Sequence, residues 1–250
     1  MAAPEQPWTF ERNPPYAPTP DNRPAPLDRS PLELTLESTS QMSFGERAAL
    51  EGVLAQLRPR LALEIGTAEG GSLARIAGYA QEVHSIDLTH AELTAELGDH
   101  VHLHTGSSAE LLAPLLAEFS AAASPLDFVL VDGDHSFEGV AGDLRALLDS
   151  PCTARSVILA HDSMNAEIRA GLEQTGLEDY EKVVYYEPDF VAGYIYRTGA
   201  ARHTVWGGLA LIVCDTERSS GYSTSIRQQR YYEPYEAIHL HRRSLDPLAG

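Results

Sequence analysis

Five ionisable residues in the middle of the chain could do chemistry together. Asp132, Asp134 and His135 come directly after one apolar run, and His161 and Asp162 come directly after the next. If the two runs are neighbouring parallel strands, both clusters lie at the same edge of a sheet. Carboxylates and imidazoles crowded there repel each other or lose hydration unless a proton or a metal ion pairs with them. A divalent cation would remove that cost, and one of the groups could then act as a general base.

A glycine-rich segment at residues 63–72, LEIGTAEGGS, has the features of a cofactor-binding loop. A strand-like run leads into Gly66, where glycine lets the backbone turn sharply and approach a ligand closely. Asp87 follows 21 residues later, at the end of the next strand-like run, where a carboxylate can accept the hydroxyls of a ribose. The glycine spacing, GxxxGG, lacks the second glycine of a dinucleotide fingerprint, and no Gly-Lys-Ser/Thr of a P-loop follows.

Strand-like and helical patterns alternate around these motifs. Ser43 and Glu46 have capping-box spacing and precede a helical run. The strand-like runs are 61–65, 83–87, 101–104, 126–131 and 156–160, with further candidates at 182–186 and 209–214. This alternation predicts an α/β fold built on a doubly wound, mostly parallel sheet. His102 and His104 alternate on the third run and share a face, and we interpret them as structural histidines.

The glycine-rich loop, Asp87 and the Gly-Ser-Ser segment at 106–108 resemble the successive cofactor-binding motifs of class I S-adenosylmethionine-dependent methyltransferases. The resemblance covers roughly residues 41–215 and implies a Rossmann-like sheet of seven strands with helices on both faces. In that family the first loop holds the methionine portion of the cofactor, the acid after the second strand holds ribose, and the segment after the third strand lies beside adenine. The residues that the resemblance assigns to the cofactor are Gln41, Met42, Glu64, Gly66, Thr67, Gly70, Gly71, Ser72, Asp87, Gly106, Ser107, Ser108 and Asp132.

The stretch VDGDHSFEGV and the cluster after the following strand are similar to the metal-dependent O-methyltransferases, both the macrocin and sugar type and the catechol type. The resemblance implies that Asp132 and Asp162 are metal ligands and that Asp134 is a candidate general base. His161 stands where sugar-type relatives have a carboxylate, so it is a candidate third ligand, and the metal could be magnesium, manganese or another transition metal. His135 stands where catechol-type relatives have a lysine base, and imidazole also suits that role. In the alternative interpretation His135 caps the next helix and His161 bonds a backbone carbonyl.

The charge of the chain excludes several classes of partner. Its 250 residues carry 36 acidic and 18 basic side chains, a formal net charge of −18. Such a field repels phosphate backbones and anionic membrane surfaces, so we expect neither nucleic acid nor a membrane as a partner. The N-terminus has no basic, apolar leader and the two cysteines, Cys152 and Cys214, have no CxxC spacing, which predicts a cytoplasmic protein.

Two terminal segments flank the predicted cofactor-binding domain at residues 41–216. Nine of the 16 prolines lie within the first 31 residues, so residues 1–40 are predicted to be a proline-rich arm that forms neither helix nor central strand. The arm is either a disordered tail or an extended segment that packs on the domain or on a second subunit, and the second option would give a homodimer. Residues 217–250 are predicted to be a C-terminal extension that serves as a lid or an interface.

These patterns favour transfer of a methyl group from S-adenosylmethionine to a hydroxyl of a small molecule, such as a sugar or a natural-product scaffold. Three alternatives stay open. The first is a metal-independent methyltransferase whose aspartate and histidine residues act as base and orienter. The second is a non-catalytic cofactor-binding module, and the third is a nicotinamide-dependent oxidoreductase.

Overall fold

A sheet of seven strands forms the centre of the fold, with helices packed against both faces. The computed structural model describes residues 41–94, 97–196 and 204–218. Within these residues the helices are α1 (Phe44–Leu57), α2 (Gly71–Ala77), α3 (Ser108–Ala121), α4 (Phe137–Asp149) and α5 (Ala166–Gln174). The strands are β1 (Leu61–Ile65), β2 (Glu82–Asp87), β3 (Val101–Thr105), β4 (Phe128–Val131), β5 (Arg155–His161), β6 (Val183–Val191), β7 (Tyr194–Ile195), β8 (Val205–Trp206) and β9 (Leu209–Asp215).

The strand order in the large sheet is β3-β2-β1-β4-β5-β9-β6, and β7 pairs with β8 in a separate hairpin. The first five of these strands are parallel, whereas β9 runs antiparallel to both of its neighbours. The chain winds outward from β1 in one direction and from β4 in the other. The carboxyl ends of β1 and β4 are thus the switch point where open α/β sheets bind ligands. The predicted doubly wound, mostly parallel sheet of seven strands is confirmed.

Residues of β1 alternate between two apolar cores. Leu61, Leu63 and Ile65 pack with the buried side chains of α3, α4 and α5. Ala62, on the opposite face, packs with those of α1 and α2. Because both faces of the strand are covered, all five of its residues are buried, and the strand is apolar except for Glu64.

The start of α1 is held by the predicted capping box. Ser43 Oγ accepts a hydrogen bond from the amide of Glu46, and the Glu46 carboxylate accepts one from the amide of Ser43. Leu50 and Leu54, which follow on the same helix, are completely buried against the sheet. The cap satisfies free amides at the helix end. The packing places the first turn of α1 over the carboxyl edge of the sheet, beside His161 of β5 and Gly208, the residue before β9.

Two strands differ from the prediction by more than one residue at an end, whereas β2, β3, β5 and β9 differ by one residue at one or both ends. The run 126–131 enters the ladder as β4 only at Phe128, and the side chain of the preceding Asp127 accepts a hydrogen bond from the Arg60 amide, 2.8 Å away. The run 182–186 becomes the longer β6, which extends through Pro188 to Val191 with irregular register. An edge strand tolerates proline because its outward amides need no partner strand.

Several predictions fall outside the described residues. The proline-rich arm at 1–40 lies there, and so does the C-terminal extension at 217–250 apart from its first two residues. Their roles, and the domain boundary at residue 216, stay predictions. In the described part of the chain, every helix is too short or too polar to cross a membrane.

Candidate active site

A cavity of about 710 Å³ opens at the carboxyl edge of the sheet. This volume is in the range of small-molecule and cofactor sites. Its wall contains every residue assigned to the cofactor from the sequence except Glu64 and Gly70, and it also contains both predicted bases and all three predicted metal ligands. Gln41 and Met42 reach the wall from the segment just before α1, and Met42 is buried. The structure therefore brings the predicted residues together at one site.

The loop after β1 lies directly against the end of β4 at Gly66. The φ angle of Gly66 is +94°, and a Cβ atom there would lie 2.0 Å from the backbone oxygen of Asp132. The amide of Gly66 also donates to the backbone oxygen of Ile86, 2.8 Å away, at the end of β2. Only glycine fits a position that needs both a positive φ and such close contact. The cofactor loop and the first acidic cluster are consequently adjacent.

Asp87, at the end of β2, organises this loop through its side chain. Its Oδ2 accepts hydrogen bonds from the amides of Thr67 (2.6 Å) and Ala68 (3.0 Å), and its Oδ1 accepts one from the amide of Thr89 (3.1 Å). Burial alone would raise the pKa of Asp87, but these three amides outweigh burial and lower it. Asp87 is therefore an ionised carboxylate at the cavity wall.

Glu64 lies beneath the loop rather than in the cavity wall. Its side chain is completely buried and accepts hydrogen bonds from Ser72 Oγ (2.6 Å) and Ser85 Oγ (2.9 Å). Burial raises the pKa of Glu64 to about 8, against the lowering effect of the two hydroxyls, and the charges of Asp132 and Asp87 add to the rise. Through these two hydrogen bonds Glu64 links α2 to β2 beneath the loop after β1.

A buried acid that the sequence analysis did not single out, Asp143, lines the part of the cavity formed by residues 106–108 and α4. Asp143 is only 4% exposed, and its Oδ2 has no hydrogen-bond partner among the described residues. Burial raises its pKa to about 6, an interaction with Ser108 lowers it in part, and the charge of Asp134 raises it further. A buried, unsatisfied acceptor in a cavity wall is suited to a ligand that supplies a donor.

The three predicted metal ligands converge where β4 and β5 end. Asp132, His161 and Asp162 each offer a ligand atom, and these atoms all lie within 4.8 Å of one another. His161 Nδ1 is 2.9 Å from Asp132 Oδ1 and 3.7 Å from Asp162 Oδ2. Burial alone would lower the pKa of His161, but the charge and hydrogen bond of Asp132 outweigh it and raise the pKa. The cluster therefore favours an added positive charge.

Backbone geometry holds Asp162 in this cluster. Its φ is +53°, a left-handed conformation that is uncommon for residues other than glycine, asparagine and aspartate. Its Oδ1 accepts a hydrogen bond from the amide of Gly207 at 2.6 Å, which leaves Oδ2 directed at the two histidines of the site. Such backbone strain is often found at functional positions.

Glu46 is a second site residue that the sequence analysis assigned only to helix capping. It is completely buried, and its Oε1 lies 3.2 Å from His161 Nε2 and accepts a hydrogen bond from the amide of Gly208. Burial raises the pKa of Glu46, but hydrogen bonds with His161 and Ser43 outweigh that effect and lower it. His161 is thus bonded to a carboxylate at each ring nitrogen rather than to a backbone carbonyl.

Of the two predicted bases, His135 faces the cluster more directly. His135 Nε2 is 3.4 Å from Asp132 Oδ1 and 3.3 Å from Asp162 Oδ2, and the ring packs edge-on against Trp206. A hydrogen bond to Asp132 raises the pKa of His135, partly opposed by burial. Asp134 Oδ1 instead accepts a hydrogen bond from the Ser136 amide at 2.9 Å. The next helix is capped by Ser136, not by His135.

Comparison with known proteins adds an independent finding. Residues 63–163 match the family model described as a methyltransferase domain, a span that includes the cofactor loop and both acidic clusters. The O-methyltransferase from Bacillus cereus in complex with SAH is similar in structure, with 18% identity, a TM-score of 0.52, and coverage of 70% of this chain and 83% of that one. Cofactor-bound Rv0187 from MTB is similar with 20% identity, a TM-score of 0.53, and coverage of 73% and 85%.

No curated protein is significantly similar to the chain in sequence. At identities of 20% or less, the solved structures establish the fold alone. The family model covers fewer residues than the structural matches do. Its span includes the loop after β1 and both acidic clusters at the carboxyl edge of the sheet. Residues 63–163 are therefore similar to a methyltransferase domain, and the fold is similar to that of the solved O-methyltransferase from Bacillus cereus.

Proposed function

We propose that the chain binds S-adenosylmethionine in this cavity and transfers its methyl group to a hydroxyl oxygen of a small molecule. One observation carries the proposal: the loop after β1 lines the same cavity as Asp132, His161 and Asp162. A donor held by the loop would lie beside groups able to activate an acceptor, and such positioning supplies much of the rate of a methyl transfer. The methyltransferase-domain match and the SAH bound to the Bacillus cereus protein support this choice of cofactor.

Two acids would hold the nucleoside portion of the cofactor. Asp87 uses three of about four acceptor sites of its carboxylate on backbone amides, which leaves one for a ribose hydroxyl. Asp143 Oδ2, buried and unsatisfied in the cavity wall, is an acceptor for the exocyclic amine of adenine. Ser107 and Ser108 border the same part of the cavity. Asp143 is thus added to the cofactor-binding residues predicted from the sequence.

The side chains of Asp132, His161 and Asp162 fit a divalent cation. Two carboxylates and an imidazole within 4.8 Å of one another form a mixed oxygen and nitrogen donor set. Imidazole is a better ligand for manganese, iron or zinc than for magnesium, so we favour a transition metal. When bound, such an ion would lower the pKa of an acceptor hydroxyl and help to orient it.

His135 is the residue to which we assign removal of the hydroxyl proton. Its Nε2 is 3.3 Å from Asp162 Oδ2, so an acceptor oxygen held at the cluster would lie within hydrogen-bond reach of the ring. This role needs Nε2 without a proton, a form that an ion bound to Asp132 and Asp162 would favour because it would compete for their charge. As the hydroxyl proton moves to Nε2, the oxygen attacks the methyl carbon in line and the carbon–sulfur bond breaks, which releases S-adenosylhomocysteine. Asp134 lines the same cavity and is the second candidate for this role.

Aromatic side chains beside His135 indicate the kind of acceptor. Trp206 packs against the His135 ring, and its strand pairs with that of Tyr194, which is 38% exposed and contacts Tyr196. Aromatic faces with polar tips suit a sugar or a polycyclic natural-product scaffold. The net charge of −18 disfavours polyanionic acceptors such as nucleic acids.

Calorimetric titration of the full chain with S-adenosylhomocysteine and with NAD tests the choice of cofactor. We expect binding of the first and none of the second, and the reverse result would indicate an oxidoreductase. Methyl transfer from S-adenosylmethionine to a panel of hydroxylated sugars and polyketides then tests the reaction. Cofactor binding without transfer to any acceptor would favour a non-catalytic module.

Asp162→Asn tests the role of the metal cluster. Asparagine has the same shape, tolerates the left-handed backbone and keeps an oxygen for the Gly207 amide, but it removes the charge. We expect the variant to bind S-adenosylhomocysteine normally and to lose metal-stimulated transfer, whereas Asp149→Asn, an exposed change at the end of α4, should leave both unchanged. Full transfer by Asp162→Asn, or by the unchanged protein in excess chelator, would support the metal-independent mechanism.

A further inference from the structure

A second group of potential metal ligands lies on the edge strands β2 and β3. His84 is the register partner of His102 in the parallel β2–β3 pair, and Glu82 precedes His84 by two residues, which places all three side chains on one face of the sheet. The sequence pattern revealed only the alternation of His102 and His104. Strand pairing adds a third imidazole and a carboxylate to the same surface.

The ligand atoms of this group are already close together. Glu82 Oε1 lies 3.1 Å from His84 Nε2 and 3.5 Å from His102 Nε2. All three ligand atoms fall within 4.8 Å of one another. Tetrahedral zinc with ligands at about 2.0–2.2 Å has neighbouring ligand atoms roughly 3.4 Å apart, and the two separations from Glu82 Oε1 are close to that spacing.

His104 fixes the orientation of the central ligand. His104 Nε2 lies 2.8 Å from His84 Nδ1, a distance at which one imidazole donates to the other. If His84 Nδ1–H is the donor, the lone pair of His84 Nε2 points at Glu82. Metal-bound histidines commonly donate their second N–H to such a partner, which sets the tautomer and holds the ring in place.

The three ligands differ in how much of each side chain is exposed to solvent. The His84 side chain is 12% exposed, and its ring packs edge-on against Phe119 of α3 at a centroid distance of 4.8 Å. The side chains of Glu82 and His102 are 52% and 47% exposed. One ligand is therefore held in place by packing, while the other two can adjust and solvent can supply the remaining coordination position.

We propose that Glu82, His84 and His102 bind one divalent transition-metal ion of the zinc, cobalt, nickel or copper group. Two imidazoles and a carboxylate are typical ligands for these ions, and they are poor ligands for calcium. The ion would join the edge strand β3 to β2, so its binding would stabilise the strand that leads into residues 106–108 of the cofactor cavity. The proposal uses different residues from the Asp132 cluster and stands independently of the function assigned to that cluster.

The test is titration of untagged full-length protein with Co²⁺ and with Zn²⁺, followed by calorimetry and by the visible absorption of bound Co²⁺. All measurements are made in the Asp162→Asn background, which suppresses binding at the other cluster. We expect one ion per chain, an affinity at least about 10-fold weaker after His102→Ala or Glu82→Gln, and a melting temperature raised by the ion only where these residues are intact.

Glu118→Gln is the matched control. Glu118 is exposed on α3 and its charge acts on His84 and His104, but its carboxylate is not one of the clustered ligands. Its removal changes the local charge as much as Glu82→Gln does, so affinity should change by less than about threefold if ligation rather than general attraction holds the ion. Absence of tight Co²⁺ and Zn²⁺ binding in the Asp162→Asn background, equal affinity with and without His102, or equal losses in the two glutamate variants would overturn the proposal.

Discussion

The imidazole of His161 bonds the buried carboxylate of Glu46, with Nε2 3.2 Å from Oε1. Backbone amides of Ser43 and Gly208 also donate to this carboxylate, so it is fixed in place. An ionised carboxylate can only accept, so Nε2–H of His161 donates to Glu46 and Nδ1–H of the protonated ring donates to Asp132. Loss of the Nδ1 proton would leave a lone pair on the side of Asp132 that could bind a metal ion. Carboxylate–histidine pairs of this kind orient metal ligands and increase their basicity.

Glu46→Gln is expected to weaken binding of Mn²⁺ or Co²⁺ at the Asp132 cluster by about 10-fold or more. Glutamine preserves the size of the side chain and can still accept from the Gly208 amide, but it no longer carries the charge that fixes the tautomer of His161. The measurement is calorimetric titration with the ion, with affinity for S-adenosylhomocysteine as a check on folding.

Glu167→Gln serves as the control for Glu46→Gln, because Glu167 is an exposed acid in the first turn of α5. It should leave the affinity for the ion unchanged. If Glu46→Gln binds the ion as tightly as the unchanged protein does, Glu46 acts only as a helix cap.

Glu64→Gln is expected to change how stability depends on pH. Burial raises the pKa of Glu64 to about 8 in the folded chain, from its ordinary value of 4.5. The folded state therefore holds the proton more tightly, and this contribution to stability is complete below about pH 4.5 and is lost as the pH rises through about 8. Glutamine does not titrate, so the free energy of unfolding of the variant lacks this pH-dependent contribution. The variant should therefore gain stability relative to the unchanged protein between pH 5 and pH 9.

Denaturant unfolding at a series of pH values checks this difference. Each pKa unit corresponds to about 1.4 kcal/mol, so the relative gain should reach a few kcal/mol by pH 9. Glu118→Gln, an exposed change, should show no comparable trend. A difference between Glu64→Gln and the unchanged protein that is constant across the pH range would contradict the assignment of a raised pKa to Glu64.

The bounds of a strand could be predicted closely where burial and a chain-breaking residue agree. The bounds of β1 were predicted to the residue, because all of its residues are buried and Gly66 ends the strand. The end of β6 was missed, because that strand is only half-buried, contains Pro188 and has irregular register. A continuous apolar run that ends at a glycine predicts the bounds of a strand better than a half-buried run interrupted by proline does.

The site residues that lie at or directly after the ends of strands could be predicted from the sequence, whereas those on helices could not. Asp132, His161 and Asp162 could be placed together because parallel strands end at a common edge. Glu46 is 115 residues from His161 in sequence. Its spacing from Ser43 indicates a capping box, so the sequence gives no further reason to place Glu46 in the site. Asp143 did carry a signal, because it lies on the apolar face of α4, three residues after Val140.

Asp143→Asn is expected to remove a pH dependence of cofactor binding. Burial raises the pKa of Asp143 to about 6, so the carboxylate is mostly protonated at pH 5 and mostly ionised at pH 7. If the ionised form accepts the adenine amine, affinity for S-adenosylhomocysteine should rise about tenfold over that range. Asparagine keeps an acceptor oxygen that does not titrate, so affinity in the variant should vary little with pH.

Calorimetry at pH 5, 6 and 7 distinguishes these outcomes for Asp143. Asp149→Asn, on the exposed end of the same helix, should keep the pH dependence of the unchanged protein. An identical pH profile in Asp143→Asn and the unchanged protein would place the titrating group elsewhere in the cavity.

Gly66→Ala is expected to abolish cofactor binding, because the added Cβ would lie 2.0 Å from the Asp132 backbone oxygen at a φ of +94°. The loop after β1 would have to move away from β4, at a cost of several kcal/mol in the free energy of unfolding. Gly52→Ala is the matched control, because a Cβ at Gly52 in α1 meets no atom within 4 Å and should stabilise the helix by about 0.5–1 kcal/mol. Thermal unfolding and titration with S-adenosylhomocysteine measure both effects. Normal binding by Gly66→Ala would mean that the close contact between the two loops is not required to hold the cofactor.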